Sequence, residues 1–490
     1  MYLHRLLKLT FPKVSIATIP DYVITLVTED SRQVIPGSLF IARTGSKVDG
    51  NAYLTDAYAR GAVAAVVSAR NDECKIPQIV MPDPSSAVSP LAHLLLGQPS
   101  LYMKVFGVTG TNGKTTTAYL LRHLLKTLAH PCGMIGTVET DDGKVQRESD
   151  MTTPGAAEVV KLLSAMHGHG CHAAAMEVSS HALHQHRVSA LQFAGAGFTN
   201  LTGDHLDYHG TMENYAASKA MLFDMLPSSS VAVVNGEDQW TPRMIRDTKA
   251  RVVKFSFGGA GDYRASNIEV TADGTKFTLH APKGTAQVSM SLIGRHNIEN
   301  ALTALALVGE VYSVTPDRLA VAMNTARGAP GRLQVVKAGQ PFAVLVDYAH
   351  TDDALQNVLT ALRPLTKGKL RVVFGCGGDR DKSKRPRMGK VAETLADALY
   401  ITSDNPRTED PAAILADIQA GLTSPPSKPT VVEVDRRVAI ARALKDAVAT
   451  GTAHDVVLIA GKGHENYQII GTTKQYFDDL EEARRALSNA

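Results

Sequence analysis

A chain of 490 residues is too long for one ordinary hydrophobic core, and at about 100–200 residues per domain it divides into about three. With 44% hydrophobic and 20% charged residues it has the composition of a folded globular protein, not of a disordered one. A formal net charge of +3 is too small at this length to predict nucleic-acid binding or an acidic tail, and no apolar run reaches the ~18 residues of a membrane helix.

The opening "MYLHRLLKLTFPKV" is interrupted by Arg5 and Lys8 and has no small-residue cleavage site, so no secretory signal is expected. The four cysteines (Cys74, Cys132, Cys171 and Cys376) are far apart, as in a protein of the reducing cytoplasm, which is the expected location. Residues 1–99 alternate short apolar runs ("YVITLVTEDSR", "SLFIARTG", "AVAAVVSA", "PQIVMP") with turns and helical stretches such as "AYLTDAYARG". This pattern predicts a small α/β domain ending at the polar link "LGQPS".

A second block, 100–332, opens with the strand "LYMKVFGVTG" and the helix "TTTAYLLRHLLKTLAH". Further buried-strand candidates are "HAAAMEVSS", "FAGAGFTN" and "VAVVNG", which together predict a mostly parallel sheet covered on both faces. The hairpin punctuation of 252–293 predicts an antiparallel appendage. After the Gly/Pro-dense "RGAPGRLQVV", residues 333–490 alternate again. The expected elements are strand "FAVLVDYAH", helix 352–362, strand "LRVVFGCGG", a helix near 387–397, strand "DALYITSD", helix 411–421, strand "TVVEV", helix 436–448 and strand "DVVLIAG". This is a Rossmann-like α/β domain whose polar residues gather after the strand ends, where open parallel sheets bind ligands.

The stretch "GVTGTNGKTTT" is read as a phosphate loop with unusual spacing, since Val108 stands where the common pattern has its first glycine. Gly107, Gly110 and Gly113 let backbone N–H groups approach phosphate oxygens, Lys114 neutralises charge there, and Thr115 offers a hydroxyl to Mg²⁺. An ATP site follows, formed by Gly110, Thr111, Asn112, Gly113, Lys114, Thr115 and Thr116. Glu177, at the end of an apolar strand, supplies the carboxylate that such a metal needs. His205, after another strand, is a further candidate ligand, although taken alone it reads as structural because magnesium prefers oxygen. The tract "HGHGCH" (His167 to His172) reads as a polar loop before a strand.

"GVTGTNGKTTT", "MEVSSHAL", "FTNLTGDHLDYHG", "GRHNIENALTALA", "GAPGRLQVV", "VLVDYAHTDDAL" and "VVFGCGGDRDKSKRPRMG" resemble, in that order, the Mur ligase family over nearly the whole chain. "SDNPRTEDP" and "IAGKGHENYQ" are similar to the member that joins meso-diaminopimelate to UDP-N-acetylmuramoyl-L-alanyl-D-glutamate. The resemblance implies a cytoplasmic, ATP-dependent amide ligase of three domains in peptidoglycan precursor synthesis; one chain contains every candidate site, so a monomer is expected, with no nucleic-acid or membrane partner. Its central P-loop domain would lie between a small α/β domain and a Rossmann-like one.

Residue by residue, the resemblance gives Lys114 and Thr115 to the phosphates and first Mg²⁺, and makes Glu177 and His205 metal ligands. Lys219 matches the lysine that the family carries as a CO₂-derived carbamate beside a second Mg²⁺, whereas alone it reads as a solvated helix lysine. Lys114, Lys219 and His205 would thus form the catalytic set. Asn297 would approach adenine, Arg332 the phosphates, and Asp347 would join the ATP site only when the third domain closes. Glu29, Ser31, Ser46, Lys47 and Val48 would bind the uridine nucleotide, and Thr152, Thr153, Ser179, Gln185 and Arg187 the muramoyl peptide. Asn51 and Met151 depart from the histidine and asparagine of some relatives.

The amino acid to be added is argued physically. Asp404, Asn405, Pro406 and Arg407 form a loop in which Pro406 fixes φ and helps to present Arg407. A guanidinium attracts the distal carboxylate of diaminopimelate and repels the distal ammonium of lysine. Arg380 is a second carboxylate contact, and Gly461 and Glu465 would take the distal amino group. Arg407 counts against a lysine-adding ligase, and Asp30-Ser31-Arg32 in a complete first domain counts against a folylpolyglutamate-type synthetase. A nucleotide-switched binding protein would not need polar residues at so many strand ends of the third block.

Overall fold

The structure is a computed structural model that describes residues 1–16, 19–43, 49–271, 274–450 and 452–488. Its first sheet is wholly parallel, in the order Leu26–Thr28, Ser38–Ile41, Ala62–Val67, Gln78–Val80. All four strands fall in the apolar runs singled out in the sequence. The helix Ser85–Leu95 then packs on Ala156–Gly168, so that Val88 and Leu91 share one apolar core with Val160 and Leu163. The first unit is therefore anchored to the second by continuous packing across the polar link.

The central sheet has eleven strands. Six parallel ones form its middle, in spatial order Arg251–Ser256, Val231–Asn235, Phe193–Phe198, Lys104–Thr109, Ala173–Glu177, Cys132–Ile135. Five of these six are buried along their whole length or nearly so, which is why they read as unbroken apolar runs. The expected antiparallel appendage is corrected in part. Arg251–Ser256 pairs parallel to Val231–Asn235, and only Tyr263–Thr271, Gly274–Ala281 and Gly284–Met290 form an antiparallel meander, continuous with the same sheet. Turn signals reveal hairpins but not which edge a strand joins.

The third unit has a six-stranded sheet, ordered Gln334–Val335, Ala343–Asp347, Val456–Ala460, Leu370–Phe374, Ala398–Thr402, Thr430–Glu433, parallel except at its first strand. Separate apolar clusters cover its two faces, one around Leu359 and Met388, the other around Ile440 and Leu444. The expected helix near 387–397 spans Lys384–Leu395. Among the described residues no helix is long and apolar enough to cross a membrane.

Candidate active site

Strand Lys104–Thr109 delivers the phosphate loop to the N-terminus of helix Lys114–Thr127. Gly113 caps that helix at φ 88°, a left-handed conformation, and a side chain there would collide with Asn300 Oδ1. Gly107, expected among the loop glycines, lies within the strand instead, where a Cβ would meet the Phe193 ring at 2.9 Å. It is a packing residue, and this accounts for the odd spacing. Lys114 Nζ donates to Gly110 O (2.9 Å) and Thr111 O (2.8 Å). Burial lowers its pKa, with Arg332 adding to the effect and Glu177 and Asp204 opposing it.

Lys219 is 1% exposed, and its Nζ donates to Gly110 O at 2.7 Å, beneath the same loop. Burial first, and the Lys114 charge second, hold its amine well below the usual lysine range. The solvated-lysine reading of this residue is therefore overturned. A neutral amine is the form that takes up CO₂, so the environment fits the carbamate that the resemblance implies.

Glu177, 1% exposed, accepts from Thr115 Oγ1 (2.8 Å), Thr137 N (2.7 Å) and Thr137 Oγ1 (3.0 Å). A hydroxyl and a carboxylate side by side at a phosphate loop fit Mg²⁺, which takes oxygen ligands and completes its shell with phosphate and water. His205 sits at φ 53° beside Asp204, whose Oδ2 is 3.4 Å from its Nε2, and edge-on to His181. Desolvation pushes its imidazole down to about 4, against the pull of Asp204, so it is neutral and available as a ligand. Among the described residues no three His, Cys, Asp or Glu side chains converge on a metal-sized site.

Three cavities meet around these groups. The first, of about 740 Å³, is lined by Asn112, Gly113, Thr116, Asn297, Arg332 and Asp347. Asn297 is fixed by Ile293 O and Asn300 Nδ2, and the Arg332 guanidinium lies 4.6 Å over the Tyr348 ring. Asp347 accepts from Leu333 N and Ala349 N, and burial raises its pKa against the opposing Arg332 charge. Asp347 shares this cavity with the loop residues Asn112, Gly113 and Thr116. Asn112 Nδ2 and Thr202 Oγ1 both donate to Asp353 Oδ2, at 2.7 and 3.1 Å.

The second cavity, of about 910 Å³, collects Thr152, Thr153, Ser179, Arg187, His205, Arg380 and Glu465. Thr153 Oγ1 donates to Glu177 O and accepts from Ser179 N, while Arg187 is clamped by Gln185 Oε1 and Thr153 O. The third, of about 830 Å³, brings His205 together with Arg380, Asp404, Asn405, Arg407, Gly461 and Glu465. His205, Arg380 and Glu465 belong to both, so the two spaces adjoin. Arg407 is held at φ 52° by pairing with the strand Tyr467–Ile470: its N–H donates to Ile469 O, and Gly471 N donates to its carbonyl. Its Nη1 donates to Gly378 O at 2.8 Å. Burial raises the Glu465 pKa, and the Asp404 charge adds to that rise.

The comparisons with known proteins match this layout. Residues 23–94 fit the model of the Mur ligase family, catalytic domain, 108–308 the Mur ligase middle domain, and 331–463 the Mur ligase, glutamate ligase domain. A protein of Gloeobacter violaceus named UDP-N-acetylmuramoyl-L-alanyl-D-glutamate--2,6-diaminopimelate ligase is 45% identical, over 100% of this chain and 98% of its own. The chain belongs to the Mur ligase family. A relative of the same name in Thermosynechococcus vestitus is 44% identical over 92% of this Mur ligase and 90% of its own length. A solved structure of a ligase with that name is 33% identical, with a TM-score of 0.71 and 98% of both chains covered.

Not every residue singled out in the sequence of this Mur ligase reaches these cavities. Ser31 is buried in the short 3-10 turn Ser31–Gln33 and lines none of the three. Glu29 pairs with Arg43 at 2.9 Å, and a side chain on Gly155 would approach its carboxylate to 2.6 Å, which brings it near the start of the helix after Thr153. Pro406 faces a separate hollow behind the Arg407 loop. Ser46, Lys47 and Val48 lie outside the described residues. The "HGHGCH" tract is not wholly a loop: His167 and Gly168 end the helix Ala156–Gly168, and His169 Nδ1 is 3.0 Å from Asp142 O. Sequence reasoning missed Asp353, Lys462 and Tyr348. Lys462 and Tyr348 stand beside Gly461 and Asp347, and Asp353 lies at the start of the expected helix 352–362, but only long-range packing shows what each touches.

Proposed function

We propose that this Mur ligase uses ATP to join meso-diaminopimelate to the D-glutamate of UDP-N-acetylmuramoyl-L-alanyl-D-glutamate through an acyl phosphate. A carboxylate is already anionic and resists attack by an amine. Moving the γ-phosphoryl group onto one of its oxygens makes that oxygen a leaving group. The amine then attacks the carbonyl carbon, a tetrahedral intermediate forms, and the C–O bond to phosphate breaks as the amide appears. The cavities support this reading: Gly113 and Thr116 of the phosphate loop line one, Thr137, which donates to Glu177, lines a second, and His205, Arg380 and Glu465 line both the second and the third.

Each group would act by position and charge. Lys114 would leave the loop carbonyls for the β- and γ-phosphates, and Asn297 would orient adenine. Arg332 and Asp347 would complete the nucleotide site. Thr115, Glu177 and His205, with Lys219 as a carbamate, would hold Mg²⁺, which when bound supplies charge neutralisation for the transferring phosphoryl group. Thr152, Thr153, Ser179, Gln185 and Arg187 would hold the peptide, with Glu29 and Ser31 toward the uridine nucleotide. Arg380 and Arg407 would bind carboxylates of diaminopimelate. Asp404, Asn405, Gly461 and Glu465 would surround its amino groups. The units would divide near residues 99 and 332, and the reaction would take place in the cytoplasm.

Phosphate release measured with and without each amino acid of a panel tests the reading. Release should require both the nucleotide-peptide and diaminopimelate. Release that is indifferent to both would point to a nucleotide switch, and equal turnover of lysine would reject the proposed selectivity.

A further inference from the structure

Beneath the amino-acid cavity lies a charged side chain that the reaction scheme leaves without a task. Lys462 follows strand Val456–Ala460, and its side chain is 0% exposed. Its ammonium donates to Asn405 Oδ1 at 2.9 Å and Tyr467 O at 2.7 Å, and stands 3.2 Å from Asp404 Oδ1. A buried ammonium is tolerated only when paired and hydrogen-bonded, and this one meets both conditions with groups of the Asp404–Arg407 loop.

The consequence lies in the orientation of one amide. Asn405 Oδ1 accepts from Lys462 and from Ile469 N (3.0 Å), so two donors converge on it. Turning the amide over would set its NH₂ against both of them. The NH₂ is thereby committed to the other side, where it donates to Glu465 Oε2 at 2.9 Å, while Tyr348 OH reaches Glu465 Oε1 at 3.4 Å. Lys462 also balances the Asp404 charge, which would otherwise oppose the carboxylate of Glu465 in the same cavity.

We propose that Lys462 is a positioning residue for the amino-acid substrate: by fixing the Asn405 amide it aims the Glu465 carboxylate at the substrate's amino group. The proposal rests on the reading that this cavity takes diaminopimelate. Replacing the ammonium with an apolar chain of similar length, Lys462→Met, should raise the diaminopimelate KM by about tenfold or more, the equivalent of one lost charge-assisted hydrogen bond. The ATP KM should stay within about twofold, as expected for a cavity lined by none of Lys462's partners.

If Lys462 acts through Glu465, the double variant K462M/E465Q should be little worse for diaminopimelate than E465Q alone. Should Lys462→Met not fold, Asn405→Asp keeps the lysine paired but turns an oxygen toward Glu465, and it too should raise that KM. An unchanged diaminopimelate KM in either folded variant would overturn the relay. So would additive effects in the double variant, or all KM values rising together with a lowered melting temperature. Wild-type enzyme that forms no amide from diaminopimelate would remove the substrate reading instead, and the relay with it.

Discussion

Lys219 and Arg407 show what a side chain's surroundings add to its identity. Within "YAASKAMLF" only the Tyr215 ring lies over the Lys219 amine, at 4.5 Å, and the loop carbonyl that accepts its hydrogen bond, Gly110 O, is 109 positions away, so the local stretch does not distinguish a lysine buried under a phosphate loop from one in water. With its amine's pKa lowered by burial and by Lys114, Lys219 should bind CO₂. A carbamate carbon signal should appear when ¹³C-bicarbonate is added, and should be absent in Lys219→Met. The sign of its pH dependence follows from the lowered pKa. Above that pKa the amine is free to react, and as the pH falls through it, protonation removes the nucleophile and the signal should fade. A signal that grows with acid would contradict this. The sequence offered Arg407 as a candidate carboxylate contact, but its backbone was not legible: a non-glycine residue at φ 52° carries strain of about 1–3 kcal/mol, offset by its pairing to Ile469 and Gly471. Arg407→Ala should raise the diaminopimelate KM roughly 30- to 150-fold, the equivalent of 2–3 kcal/mol, with the ATP KM nearly unchanged.

At the scale of elements, the helix Asp352–Leu362 links the nucleotide and amino-acid halves of the site. Thr351 caps it by accepting from Ala354 N, which leaves Asp353 in the first turn free to reach across to Asn112 and Thr202. Asp353→Ala should therefore weaken ATP binding about five- to thirtyfold, for the loss of 1–2 kcal/mol of hydrogen bonding, and leave diaminopimelate binding intact. Isothermal titration with a non-hydrolysable ATP analogue would read the effect, and an unchanged affinity would count against closure through this contact. The strand content was legible here because parallel strands buried on both faces are uninterrupted apolar runs. The contact was not, because Asn112 and Asp353 are 241 residues apart and no local pattern joins them. A second buried link, Arg436 to Asp479 at 2.7 Å with both side chains 0% exposed, ties the helix Arg436–Thr450 to Asp479–Ser488. Asp479→Ala should cost about 3–5 kcal/mol, read by urea unfolding, because it strands a buried guanidinium.

For the whole molecule, three α/β units surround one phosphate loop, and in the proposed function they bring an acid, a nucleotide and an amine to it. The third unit touches the second beside both the first and the second cavity, through Asp353 and through Asn466, whose Nδ2 donates to Glu148 at 3.0 Å. The motifs at the strand ends had marked most of this site in advance, since a parallel sheet brings its strand ends to one edge. The join between units had not been visible, because it depends on how whole sheets dock. The central claim is that the acid is activated through its own oxygen. Supplying the nucleotide-peptide with ¹⁸O in the D-glutamate side-chain carboxylate, together with ATP and diaminopimelate, tests it directly. The released phosphate should carry one labelled oxygen for every amide formed, with ADP appearing in equal amount. Amide that accumulates while the phosphate stays unlabelled, or while no ATP is consumed, would contradict the account.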